Sequence, residues 1–173
     1  MTDHNRLEPH PPGTGAAAEP LDWGAWYGET LDGLLAAVER ATIDWGVDPD
    51  GEPYIIPGQQ RPAGVKYPLA MVLRFRKVRQ GGSSDREDEL HEITANVTVF
   101  DRDDPREYAD NLRKTQAQMG AVETSLYADR DLGGTCENLW ADEATALELE
   151  TDRGDETAGS IDLTIQKTAT HPY

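Results

Sequence analysis

The chain has 173 residues, and its 33 Asp and Glu against 16 Lys and Arg leave a formal charge of −17. That length is enough for one domain to bury a core without staples, so a single domain is the default. The charge repels DNA phosphates and acidic membranes, and a lone cysteine, Cys136, excludes an internal disulfide and a cysteine-based zinc site.

Residues 1–20 are rich in Pro, Gly and Ala and lack any period, so they read as a flexible N-terminal arm ahead of a single α+β domain over 21–173. The opening MTDHNRLEPHPPGTGAAAEP has neither the basic start nor the apolar centre of a secretory signal. No window approaches the roughly 20 apolar residues of a membrane span, and the expectation is a soluble protein made and used without export signals.

Asp22 is placed to cap a long amphipathic helix. Trp23, Trp26, Tyr27, Leu31, Leu34, Leu35, Val38 and Trp45 recur at three- and four-residue steps, with Glu29, Asp32, Glu39 and Arg40 between them. Such a Trp-rich stripe reads as core or subunit interface. Residues 46–68 hold five prolines and four glycines and read as a long connection without structure of its own, the kind that serves as a docking segment. Its Asp48-Pro49-Asp50-Gly51 lacks the spaced third ligand and the terminal Glu of a calcium loop.

Leu69 to Val78 alternates as a half-buried strand, with Leu69, Met71, Leu73 and Phe75 on one face and Ala70, Val72, Arg74 and Arg76 on a cationic outer face. RQGGSSDREDE, 79–89, reads as a mobile hairpin loop. The next strand places Ile93, Ala95, Val97 and Val99 inward and Glu92, Thr94, Asn96 and Thr98 outward, so Arg74 and Arg76 fall across from Glu92 or Asn96.

Asp104 as N-cap, Pro105 at the first helical position and Glu107 closing a capping box then predict a helix whose buried stripe is Tyr108, Leu112, Met119, Val122 and Leu126, with Thr115 on the same side. After Asp131-Leu132-Gly133-Gly134 and a stretch with Leu139 and Trp140, Ala144–Thr151 and the Ile161, Leu163, Ile165 alternation read as a hairpin turned by TDRGDETAG. The predicted order is α-β-β-α-β-β, an antiparallel or mixed sheet of about four strands with helices packed on one face.

No constellation for catalysis emerges. His4 and His10 lie in the arm, His171 at the end, and His91 reads as a partly exposed strand residue. There is no phosphate-binding loop, nucleophile elbow or H-E-x-x-H. Asp101, Asp103 and Asp104 are acids at a strand end, where a nuclease holds a metal. The cap and the interposed Arg102 instead give them structural roles at a helix N-terminus. The expectation is therefore a non-enzyme with no cofactor, no metal and no catalytic residue.

Three stretches carry a resemblance: VTVFDRDDPREYADNLRK at 97–114, LYADRDLGGTCENLW at 126–140 and AGSIDLTIQKTA at 158–169. Over roughly 21–169 the chain resembles the tail-terminator (tail-completion) proteins of tailed viruses. Its many aspartates and few lysines are similar to those of proteins from haloarchaea and their viruses. The resemblance implies a structural virion protein of the tail and neck, assembled in the host cytoplasm. In it a homo-oligomeric ring, commonly a homohexamer, caps the tail tube, ends its polymerisation and joins it to the neck. The implied partners are further copies of the chain, the tail-tube protein and a neck or head-completion protein, with genomic DNA passing through an acidic lumen without specific binding, and no membrane. On that reading the loop 79–89 and segment 46–68 contact neighbours, which nominates Arg74, Arg76, Arg79, Asp85, Arg86, Tyr54, Ile55 and Ile56 as interface residues. Other head–tail connectors, tube subunits and, from a different class, an acidic DNA-mimic inhibitor are the alternatives.

Overall fold

The computed structural model describes residues 22–79, 88–102, 108–151 and 154–170. Seven elements follow one another: α1 (Trp23–Glu39), β1 (Ile55–Pro57), β2 (Leu69–Arg79), β3 (Asp88–Arg102), α2 (Tyr108–Ala128), β4 (Asn138–Thr151) and β5 (Gly154–Thr170). The strands make one five-stranded sheet ordered β1-β2-β3-β5-β4, with β1 parallel to β2 and every other pair antiparallel. The α+β class and the mixed sheet match the sequence expectation. The extra strand is β1, which lies inside the Pro-rich connection and makes the order α-β-β-β-α-β-β.

Asp22 caps α1 as its position predicts: its backbone is extended and its carboxylate accepts the Ala25 N–H at 3.1 Å. Replacing Asp22 with Ala leaves that N–H to water, and the expected cost is about 1 kcal/mol, read as a lower urea midpoint with an unchanged slope. Of the Trp-rich stripe, Trp26, Leu34 and Val38 are buried, and Trp23, Tyr27, Leu31 and Leu35 pack partly buried against them. The helix stops at Glu39, short of Trp45. That residue folds back on it, buried, with its indole N–H donating to the Glu39 carbonyl at 3.2 Å.

Both helices lie on one face of the sheet, α1 beside β1 and β2, α2 across β3, β5 and β4. Ile93, Ala95, Val97 and Val99 of β3 and Ile161, Leu163 and Ile165 of β5 supply the floor of this core, all buried as their alternation predicts. Gly159 lets α2 approach β5, since a Cβ there would sit 2.4 Å from Met119 Cγ. β5 also begins earlier than the alternation shows: Glu156–Gly159, read from sequence as turn, is already paired with β3 and β4.

Two stripes differ from expectation. On α2 the inward line is Asn111, Thr115, Met119, Val122 and Leu126, a regular four- and three-residue step. Leu112 lies about 100° off that line and is exposed, while Asn111 is buried with its carbonyl accepting the Thr115 hydroxyl at 3.0 Å. On β2 a bulge between Val72 and Arg74 breaks the alternation. Ala70 and Val72 face the helices, Leu69, Met71 and Leu73 face away into a second cluster with Phe100 and Ala158, and beyond the bulge Phe75 turns to the helices. Leu69–Val72 is thus buried on both faces, where the alternation alone predicts one.

The helices are tied where α2 ends. Ser125 donates to the Ala37 carbonyl at 2.6 Å, and Arg40 pairs with Asp129 at 2.5 Å. Leu132, with φ +49, is buried against Gly33 of α1, where a Cβ would meet the Leu132 carbonyl at 2.9 Å. The next two residues continue with positive φ, which only Gly133 and Gly134 adopt without strain.

Candidate interaction surface

The face of the sheet turned away from the helices is the candidate site. Alternation sends Thr94, Asn96 and Thr98 of β3 and Ser160, Asp162 and Thr164 of β5 to this face, and Asn96, Thr98, Ser160 and Asp162 bond to one another. Asn96 Nδ2 donates to Ser160 Oγ at 2.7 Å and to Asp162 Oδ1 at 2.8 Å, and Thr98 donates to Asn96 Oδ1 at 2.7 Å. Gln166 donates to Glu92 at 3.0 Å, and Thr164 to Asp142 of β4 at 2.5 Å. Asp142 also accepts the Trp140 indole N–H at 2.8 Å. A polar sheet face satisfied in this way is ordered before any partner arrives. The Asn96 amide is engaged within it.

Arg74 and Arg76 sit on the same face at its β2 side, opposite Asn96 and Thr94 in register. Both are exposed, and among the described residues neither guanidinium has a carboxylate within ion-pair reach. Arg74 borders a groove of about 340 Å³ with an apolar floor of Leu73, Phe100 and Ala158 and polar walls of Asn96, Thr98 and Ser160. Arg79 is the last residue of β2, and its side chain lies outside the described residues, as do Asp85 and Arg86.

Tyr54, Ile55 and Ile56 lie at β1, the sheet edge, and are half-buried. Ile55 packs on the main core, Tyr54 and Ile56 on the second cluster, so much of their surface is used inside the chain.

One end of the face is roofed by the Pro-rich segment through a buried polar cluster that no sequence spacing announces. Glu156 is 1% exposed on β5, and Arg61 Nη1 reaches its two oxygens at 2.8 and 2.9 Å. The Tyr67 hydroxyl donates to the same carboxylate, and the Arg61 guanidinium lies 4.0 Å above the Phe100 ring. Residues 61 and 156 stand 95 apart, and no local pattern links them. Asp48 holds the start of the segment: its Oδ1 accepts the Asp50 and Glu52 N–H groups at 2.8 and 2.9 Å, a turn that occupies the carboxylate.

On the helix side, Asp101 is tied to α2. Its Oδ2 accepts Gln118 Nε2 at 2.7 Å and lies 3.5 Å from Lys114 Nζ, which also donates to the Arg102 carbonyl at 2.9 Å. Together with Thr42, Asp44 and Tyr67 these residues line a recess of about 470 Å³. Asp103, Asp104 and the predicted capping box lie outside the described residues. Among the described residues no three His, Cys, Asp or Glu side chains are grouped to hold a metal ion.

His91, expected to be partly exposed, is 1% exposed. It shares the parity of Ile93 and so faces the helices, where the Trp23 ring lies 3.9 Å from it and Lys77 Nζ 3.1 Å from the Trp23 centroid.

Cys136 is buried with its thiol directed at the Arg130 carbonyl at 3.4 Å. Burial, with Asp131 and Asp129 adding to it, pushes that thiol from 9.0 up to about 11. Because the folded value exceeds the unfolded one, this contribution to stability is complete below about pH 9 and is lost as pH rises toward 11. Urea midpoints across that window are expected to fall more steeply for the wild type than for Cys136→Ala, and equal slopes contradict the assignment.

Scanned against models of protein families, the chain matches none, and a search of the curated proteins finds no match. Among the described residues no helix is long and apolar enough to cross a membrane.

Proposed function

We propose that the protein is a structural component of a tailed virion's head–tail joining region, a tail terminator. In this reading copies of the chain form a ring that caps the tail tube, ends its polymerisation and joins it to the neck. The observation that carries the reading is the polar face of the sheet turned away from the helices, whose centre, with Thr98 and Thr164 buried, is flanked by exposed charged side chains. It is ordered by its own hydrogen bonds, it leaves Arg74 and Arg76 exposed, and it lies opposite two helices that complete the core. A prearranged surface of this kind suits docking of a protein face.

The resemblance adds to it. Its three stretches run from β3 into α2, from α2 into β4, and along β5, so they belong to one connected unit of the fold. A charge of −17 is compatible with DNA passing through a lumen without adhering.

The test is to polymerise the tail-tube subunit with and without this protein and view the products by electron microscopy. The expected result is tubes of limited length carrying an added ring at one end. Tubes that grow unmarked and undiminished overturn the reading, and capture of a DNA-processing enzyme in their place favours an acidic DNA mimic.

A further inference from the structure

We infer that the ring interface is head-to-tail across the open sheet face, with the β2 side of one copy, carrying Arg74 and Arg76, meeting the β4 side of the next, carrying Asp142 and Glu143. This rests on the ring reading above and names the surfaces that close it.

The face is divided by charge. On β2 the bulge turns Leu73 and Arg74 to this side together, and Arg76 follows beyond Phe75. On β4 a second bulge, between Ala141 and Glu143, does the same for acids. Asp142 reaches Thr164 on this face, and Glu143 pairs in register with Asp162, whose side chain is on this face beside Asn96. Arg74, Arg76, Asp142 and Glu143 are all exposed.

β3 and β5 lie between the two patches. Three strand spacings put them about 14 Å apart, too far for the arginines to pair with these acids within one chain. The cations are left without a carboxylate among the described residues, in a chain where acids outnumber bases by two to one. A second copy supplies the missing partner, and the recess of about 340 Å³ beside Arg74 gives the incoming strand's side chains somewhere to seat.

When each patch of a copy meets a different neighbour, the contact is heterologous and propagates in one sense around a ring. Both patches lie on one face, so the same charge pairs also fit two copies facing each other about a two-fold axis, and an assembled mass of two protomers overturns the head-to-tail arrangement.

The experiment uses three full-length proteins at one fixed ionic strength: wild type, the double variant Arg74→Glu/Arg76→Glu, and Glu143→Arg. Circular dichroism first checks that each is folded, and light scattering then reads the assembled mass. The double variant is expected to associate at least about a hundredfold more weakly, because like charges then face each other across the interface. Glu143→Arg alone is weakened as well.

An equimolar mixture of the two variants is expected to recover assembly in part: in alternation one contact regains Arg74 and Arg76 against Asp142 and Glu143, and at the other the new Glu side chains meet an arginine in place of Glu143. A double variant that assembles like the wild type overturns this interface and leaves the ring reading standing. A monomeric double variant that the mixture does not rescue shows that the arginines meet something other than the β4 acids, and overturns the pairing. A wild type that is monomeric at every concentration overturns both the pairing and the ring.

Discussion

Glu156→Ala is expected to destabilise the protein by about 3–5 kcal/mol, measured by urea unfolding at fixed protein and salt concentration. The change strands the Arg61 guanidinium, whose side chain is only 14% exposed, and removes the carboxylate that accepts the Tyr67 hydroxyl. Arg61→Met leaves the carboxylate, 1% exposed, with Tyr67 as its remaining side-chain donor, and is expected to cost about 3 kcal/mol. The double variant Arg61→Met/Glu156→Leu removes both charges and puts apolar atoms beside Phe100. Desolvation of the pair consumes most of its Coulomb gain, so the double variant is expected to be more stable than Glu156→Ala. A double variant no more stable than Glu156→Ala would contradict the view that the cluster directs where the segment docks more than it contributes net stability.

Gly46→Ala is the second large effect, about 2–3 kcal/mol and a melting temperature lower by roughly 5–10 °C. A Cβ there would lie 2.2 Å from the Lys66 carbonyl oxygen and 2.4 Å from its carbon, both backbone atoms that cannot rotate away. The position is pinned as well. Gly46 N–H donates to the Pro68 carbonyl at 2.8 Å, and its own carbonyl accepts from Tyr54 at 2.9 Å. Easing the contact therefore strains the approach to β1 and to β2 together. Gly28→Ala, in α1 with nothing within 4 Å of its Cβ, is the control and is expected to stabilise by about 0.5–1 kcal/mol. Calorimetry of the two variants checks the pair.

Residues whose signal is local were legible in sequence. Asp22 caps because an N-cap needs only its own helix, and Ile93 to Val99 and Ile161 to Ile165 alternate because those strands have unlike faces. Alternation puts Arg74 and Arg76 on the face of Ala70 and Val72, whereas the β2 bulge moves them to the opposite side, with Leu73, where both are exposed. Tertiary effects were not legible. β1 is a three-residue strand ending in Pro57, with no period to detect, and it exists because β2 offers it a parallel edge. The β2 bulge inserts one residue and sends Phe75 to the opposite face from Leu73. Asn111 replaces Leu112 in the core through a rotation of about 100°, smaller than stripe reading resolves. His91 is buried because α1 brings Trp23 over it, and Glu156 because a segment 95 residues away supplies Arg61.

Assembly into a closed ring is the claim on which the functional account turns, and the mass of the purified wild-type protein in concentrated salt tests it most directly. Salt screens the self-repulsion of chains carrying −17 and the exposed Arg74 and Arg76 contacts alike, so the mass is read at low ionic strength as well. A closed ring gives one species at a fixed multiple of the protomer mass that does not grow as concentration rises. A strict monomer across the whole range, or a mass that climbs without limit, would contradict it.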